Sequence, residues 1–184
     1  MLEDFWQAVR ELERFWAYIV AAAALPLFAK FVELTPPWPS SIAILTSIVN
    51  LLAIVVAYQI YRGTSRRKAT SVIVRATILL FLLSIAYLGM ISELTFRQPS
   101  GTIEIKGLVC SEVGRVTFPE KCPWLGPAEL KTAEWTPEIL WTSWSITIAR
   151  ILIVVSWLCS FLLLSLVLAT FIIYQRSAKP PAAK

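Results

Sequence analysis

From Ser41 to Tyr61 the chain runs 21 residues without a formal charge. As a helix this stretch rises about 32 Å, and a hydrocarbon core about 30 Å thick matches it in both length and polarity. Three further apolar runs accompany it, over 15–34, 72–92 and 146–174. Together they account for a composition that is 57% apolar and only 16% charged, more apolar matter than one soluble domain of this length can hide. The pattern predicts an all-α integral membrane protein built as a bundle of four transmembrane helices.

The four runs differ in kind. The second, 41–61, is uninterrupted. The third, 72–92, carries Arg75 one turn inside its start, where a flexible guanidinium snorkels back to water. The first, 15–34, is interrupted by Pro26 and ends with Lys30 and Glu33, so a kinked span is expected. A cleaved signal peptide is the competing reading, with Ala22 to Ala24 as a small-residue processing site. The acids Glu3, Asp4, Glu11 and Glu13 ahead of it argue against that. The fourth follows Thr136 and Pro137, an N-cap and first-turn proline pair, which predicts one helix over 137–176. Such a helix would be about 60 Å long, so its first turns would stand outside the bilayer.

Basic residues set the orientation. With the amino terminus inside, the inner side collects Arg10, Arg14, Arg62, Arg66, Arg67, Lys68, Arg75, Arg176, Lys179 and Lys184. These ten face four acids, whereas the outer side carries seven basic residues and eight acids. Both termini are therefore expected in the cytoplasm, in a bacterial or archaeal cytoplasmic membrane, with 177–184 as a tail. The connection 62–71 places Arg62, Arg66, Arg67 and Lys68 against anionic lipid. This accounts for a net charge of +5 without invoking nucleic acid. Before the first span, Phe5, Val9, Leu12 and Trp16 recur at helical spacing opposite a polar face, which predicts an amphipathic interfacial helix over 3–14. Trp16, Trp38, Trp141 and Trp144 fall near span ends as interfacial anchors, and Trp157 falls within a span.

Between the third and fourth spans, 97–136 is too long for a structureless connection. Thr102 to Lys106 alternates like a strand, and Arg115 to Phe118 is its expected hairpin partner. Cys110 and Cys122, on the side expected to be oxidising, form the expected disulfide staple. Free thiols and a redox pair are the alternatives, but the Cys-x-x-Cys spacing of redox dithiols is absent. The loop likewise lacks the Cys-Cys-Gly triplet of tetraspanins, so four spans and a large loop are shared with that family in topology alone. Trp124 and Trp135 are expected to pack the loop onto the bundle or to form a partner-binding patch.

Within the spans, Asn50 is the deepest strongly polar side chain. Asn50, Ser84 and Ser160 are candidates either for packing contacts between helices or for the lining of a pore in an oligomer. Lys30, Glu33, Glu93 and Arg150 project to the outer helix ends as candidate rim ion pairs, Glu93 with Arg150 foremost. The chain contains no histidine, and its three cysteines stand apart at 110, 122 and 159. That excludes bis-histidine haem ligation, histidine zinc sites and any imidazole base, and no cofactor, metal or catalytic residue is assigned. The expected partners are membrane lipids and other membrane subunits, or further copies of the chain as a homo-oligomer. A non-catalytic helix-bundle subunit that stabilises or recruits components of a larger complex is the leading reading. A small homo-oligomeric channel is the alternative, and a quinone-site or redox enzyme the remotest.

Overall fold

The computed structural model describes residues 16–61 and 63–176. The expected amphipathic helix over 3–14, Arg62 and the tail 177–184 lie outside the described residues. The elements are α1 (Trp16–Phe31), α2 (Ile42–Tyr61), α3 (Arg66–Leu94), β1 (Thr95–Arg97), β2 (Ile103–Ile105), α4 (Glu112–Thr117), α5 (Pro127–Thr132), α6 (Pro137–Leu140) and α7 (Ser143–Arg176). Three of these helices, α2, α3 and α7, are long and apolar enough to cross a membrane. The chain divides into two compact units, one of residues 1–35, 41–84 and 158–184, the other of 36–40 and 85–157.

In the first unit α1 packs along α2 and contains Pro26, whose side chain is fully buried. The helix stops in a Schellman motif. The Leu34 amide donates to the Ala29 carbonyl at 3.0 Å and the Glu33 amide to that of Lys30, while Glu33 adopts a left-handed φ of 55°. On α2 the buried residues Ile42, Thr46, Asn50, Ile54 and Tyr58 recur every four positions, one stripe down one face. That stripe meets Ala169, Ile172 and Ile173 of α7 through Ile54 and Tyr58. The other faces of α2 leave Ile44, Ile48, Leu52 and Ile60 exposed, as a helix in lipid requires.

The basic connection is shorter than expected, because α3 already begins at Arg66. Among the described residues only Gly63, Thr64 and Ser65 separate it from α2. The Ala69 amide bonds the Ser65 carbonyl, so the helix starts as soon as the turn at Thr64 is made.

The second unit holds the folded connection. The expected hairpin is corrected: β2 pairs antiparallel with β1, in the register Thr95 to Ile105 and Arg97 to Ile103. Residues 115–118 lie at the end of α4. Two local causes decide this. Gly101, with φ of 87°, allows a tight turn in which the Gln98 amide donates to the Thr102 carbonyl and the Gly101 amide to that of Gln98, so the nearer partner is reached at small entropic cost. Downstream, the Ser111 hydroxyl caps α4 by accepting the Gly114 amide at 3.0 Å, which overrides the β preference of Val116 and Thr117.

The expected continuous helix over 137–176 is likewise corrected. The chain leaves helical geometry at Trp141 (φ −121°, ψ 154°), and α7 starts at Ser143. The break follows from burial, because Trp141 is fully buried rather than interfacial. In extended form it bridges Cys110 while its indole nitrogen donates to the Pro123 carbonyl at 3.1 Å. A helix of 34 residues remains, about 51 Å long.

Candidate functional site

Two centres organise the described residues, one in each unit. In the first, the amide side chain of Asn50 on α2 bonds the Ser165 hydroxyl of α7, and both residues are buried. The Ser165 hydroxyl also lies 3.3 Å from the Asn50 carbonyl and 2.9 Å from that of Phe161. A polar pair in an apolar interior has no water to fall back on, so each group must be satisfied by the other helix or its own. Neighbouring hydroxyls use their own helix: Thr46 donates to the Ile42 carbonyl, Ser84 to that of Leu80 and Thr170 to that of Leu166. Among the described residues no buried side-chain nitrogen or oxygen lacks a partner.

Of the sequence candidates, the structure therefore engages Asn50 with Ser165, which sequence reasoning missed. Ser84 and Ser160 are half-buried, and Ser84 is bonded within its own helix. The sequence does carry a signal for Ser165, because Ser165 and Ala169 have the small-x-x-x-small spacing that lets two helices approach closely. The rim candidates divide between the units, Lys30 and Glu33 in the first and Glu93 and Arg150 in the second. Glu93 is exposed, Arg150 half-buried, and no ion pair joins the two. Cys159 is a half-buried free thiol.

In the second unit the connection between α3 and α7 is built around Trp141. Cys110, Leu125, Leu130, Leu140 and Ile146 surround it, with Phe96, Phe118 and Trp135 packed outside. Cys110 and Cys122 are paired at disulfide distance, with Cα atoms 6.2 Å apart. Two glycines permit the close packing. A Cβ on Gly107 would stand 2.8 Å from Cγ of Trp141, and one on Gly114 would run into the Leu140 carbonyl. The Val109 carbonyl accepts the Thr142 amide at 3.0 Å and the buried Ser145 hydroxyl at 3.1 Å, which anchors the start of α7.

Glu129 is the electrostatic centre of this segment. Its carboxylate accepts Lys121 Nζ at 2.5 Å and the Gly126 amide at 2.9 Å, closing the first turn of α5 behind Pro127. The Lys121 hydrogen bond and the backbone amides, foremost its own, stabilise the charged form and hold the carboxyl below the ordinary carboxylate range. A depressed folded-state pKa gives stability that is complete above the unfolded value and is lost as pH falls through the folded one. Protection of the Gly126 and Leu130 amides from hydrogen exchange, corrected for the intrinsic rate, is therefore expected to fall on acidification below the ordinary carboxylate range. In Glu129→Gln it is expected to stay flat, and an equally steep fall in that variant contradicts the assignment.

The C-terminus of α5 repeats the motif that ends α1. The Trp135 amide bonds the Leu130 carbonyl at 2.8 Å, and Glu134 and Trp135 both take left-handed φ, 53° and 61°. A bulky residue in this region is strained. Trp135 is held there by stacking on Phe96, with centroids 6.3 Å apart, and by the Gln98 side chain donating to its carbonyl at 3.1 Å. Glu134→Gly relieves the first left-handed position and is expected to stabilise the segment by about 1 kcal/mol, read as slower exchange at the Trp135 amide.

Trp124, expected either to pack onto the bundle or to form a partner-binding patch, is exposed, as are Val113, Val116 and Ile139. Comparison with family models, with curated proteins and with solved structures gave no match.

Proposed function

We propose that the chain is a non-catalytic, four-span subunit of a larger membrane complex, with α1 as the first span and both termini in the cytoplasm. The stapled connection then lies on the outer face of a bacterial or archaeal cytoplasmic membrane, where the cysteine pair is kept oxidised. The observation that carries the reading is the outer surface of this connection. A small segment braced by a fully buried tryptophan, a cysteine staple and an ion pair leaves Val116 77% and Trp124 64% exposed, and Val113 and Ile139 of the same unit are exposed too. Large apolar side chains held out on a rigid support favour a protein partner, and aromatic anchors dominate such contacts. The polar residues of the spans support it too, since Asn50 and Ser84 are engaged within the chain.

The test is affinity purification of the tagged chain from membranes in mild detergent. A different membrane protein recovered in fixed stoichiometry, and lost in a Val116→Ser/Trp124→Ser variant, is the expected result. Recovery of the chain alone or only with itself, together with ion flux through liposomes of the pure protein, would favour the channel alternative and overturn the subunit reading.

A further inference from the structure

We infer that the α2–α3 connection forms a binding site for anionic phospholipid headgroups, organised by Arg66 and Tyr174. The first observation is a run of cations with no acid near them along the chain. Arg66, Arg67 and Lys68 occupy the first turn of α3 and are all exposed, and that turn contains no acid. The sequence supplies none nearby: no aspartate or glutamate occurs between Glu33 and Glu93, nor between Glu138 and Lys184. Every cation of the connection and of the far end of α7 therefore lacks an acidic neighbour along the chain. The helix aggravates this, because the first turn of α3 is the positive end of its dipole, where cations are disfavoured. An anion resolves both conflicts at once.

The second observation is geometric. The Arg66 guanidinium lies over the Tyr174 ring, 5.0 Å from its centroid, which ties the start of α3 to the last turn of α7 inside the first unit. A cation–π contact takes up none of the guanidinium's N–H donors in a hydrogen bond, so the aromatic positions the arginine and leaves its donors for phosphate oxygens. Arg67 and Lys68 follow on the same turn and are exposed, while Ala69, three residues after Arg66 and so on its side of the helix, is buried. Tyr61, at the end of α2 shortly before this turn, and Tyr174, under the Arg66 guanidinium, are the amphipathic residue type found at the headgroup level. The occupant that fits is the phosphate layer of an anionic leaflet. The site depends on the inward placement of residues 62–68 and not on the subunit role.

The test uses the full chain reconstituted in vesicles of phosphatidylcholine with one-fifth phosphatidylglycerol, with spin-labelled versions of either lipid reporting the shell around the protein. The expected result is about a fivefold preference for phosphatidylglycerol at low salt, falling towards none at about 0.5 M salt. Arg66→Gln/Arg67→Gln/Lys68→Gln is expected to abolish it. Arg67→Gln/Lys68→Gln, which leaves the contact with Tyr174 in place, is expected to lower it by about half. Unchanged helicity by circular dichroism separates loss of the site from loss of the fold. An unchanged preference in the triple variant overturns the inference, as does displacement of the labelled lipid by millimolar inorganic phosphate, which would mark a small-anion site. Maleimide labelling of Thr64→Cys from the outer side of intact cells would overturn it as well. A failed search for a protein partner would leave it standing.

Discussion

Trp141→Ala is expected to unravel the connection between α3 and α7 while the spans stay helical. The indole is fully buried among Cys110, Leu125, Leu130, Leu140 and Ile146, and its nitrogen holds the Pro123 carbonyl. Truncating a buried tryptophan costs about 3–5 kcal/mol, and the stranded Pro123 carbonyl adds to that. The readout is hydrogen exchange of the intact protein in detergent. Amides of residues 95–142 are expected to lose protection by a factor of about 150 to 5,000, while those of α2 keep theirs. Equal loss in both regions, or none, would contradict the two-centre description. Trp141→Phe keeps most of the apolar volume but not the hydrogen bond, and is expected to fall between the two.

The second large effect concerns the staple. Cys110 and Cys122 are 12 residues apart in sequence, and cross-linking a loop of this size stabilises by about 3 kcal/mol through the unfolded state. Cys110→Ser/Cys122→Ser is therefore expected to lose about a hundredfold of protection in the same segment, and trypsin is expected to cut at Lys106, Arg115 or Lys121. Reductant should reproduce the loss in the wild-type chain and leave the double variant unaffected. If the variant matches the oxidised protein, the staple has no stabilising role. Both substitutions act on one cluster, so their combined cost is expected to fall short of the sum.

These two experiments bear on the part of the molecule that the sequence disclosed least well. The spans were legible because lipid imposes a single demand, length and apolarity, that any window of residues meets or fails alone. Thus 41–61 and 72–92 fall within or on α2 and α3. The connection obeys competing local signals. Thr102 to Lys106 was recognisable as a strand, but its partner depended on whether Thr95 to Arg97 leaves helix α3, which hydropathy does not register. Thr136 and Pro137 do start a helix, yet it ends after one turn because Trp141 gains more from burial beside Cys110 than from continuing it. The pairing of Cys110 with Cys122 was the one long-range contact that residue type alone announced. Lys121 with Glu129 was not, because an ion pair across a proline-rich turn has no fixed spacing to read. The amide of Asn50 pointed to a polar contact between helices without naming its partner, since Ser165 is one of several serines on the fourth run.

That contact underlies the proposal that the deep polar residues join helices of one chain and do not line a path. The direct measurement is a double-mutant cycle of Asn50→Leu and Ser165→Ala, read as unfolding free energy of the full chain in lipid bicelles. A coupling of about 1 kcal/mol between the two positions is the predicted result. A coupling indistinguishable from zero would contradict it.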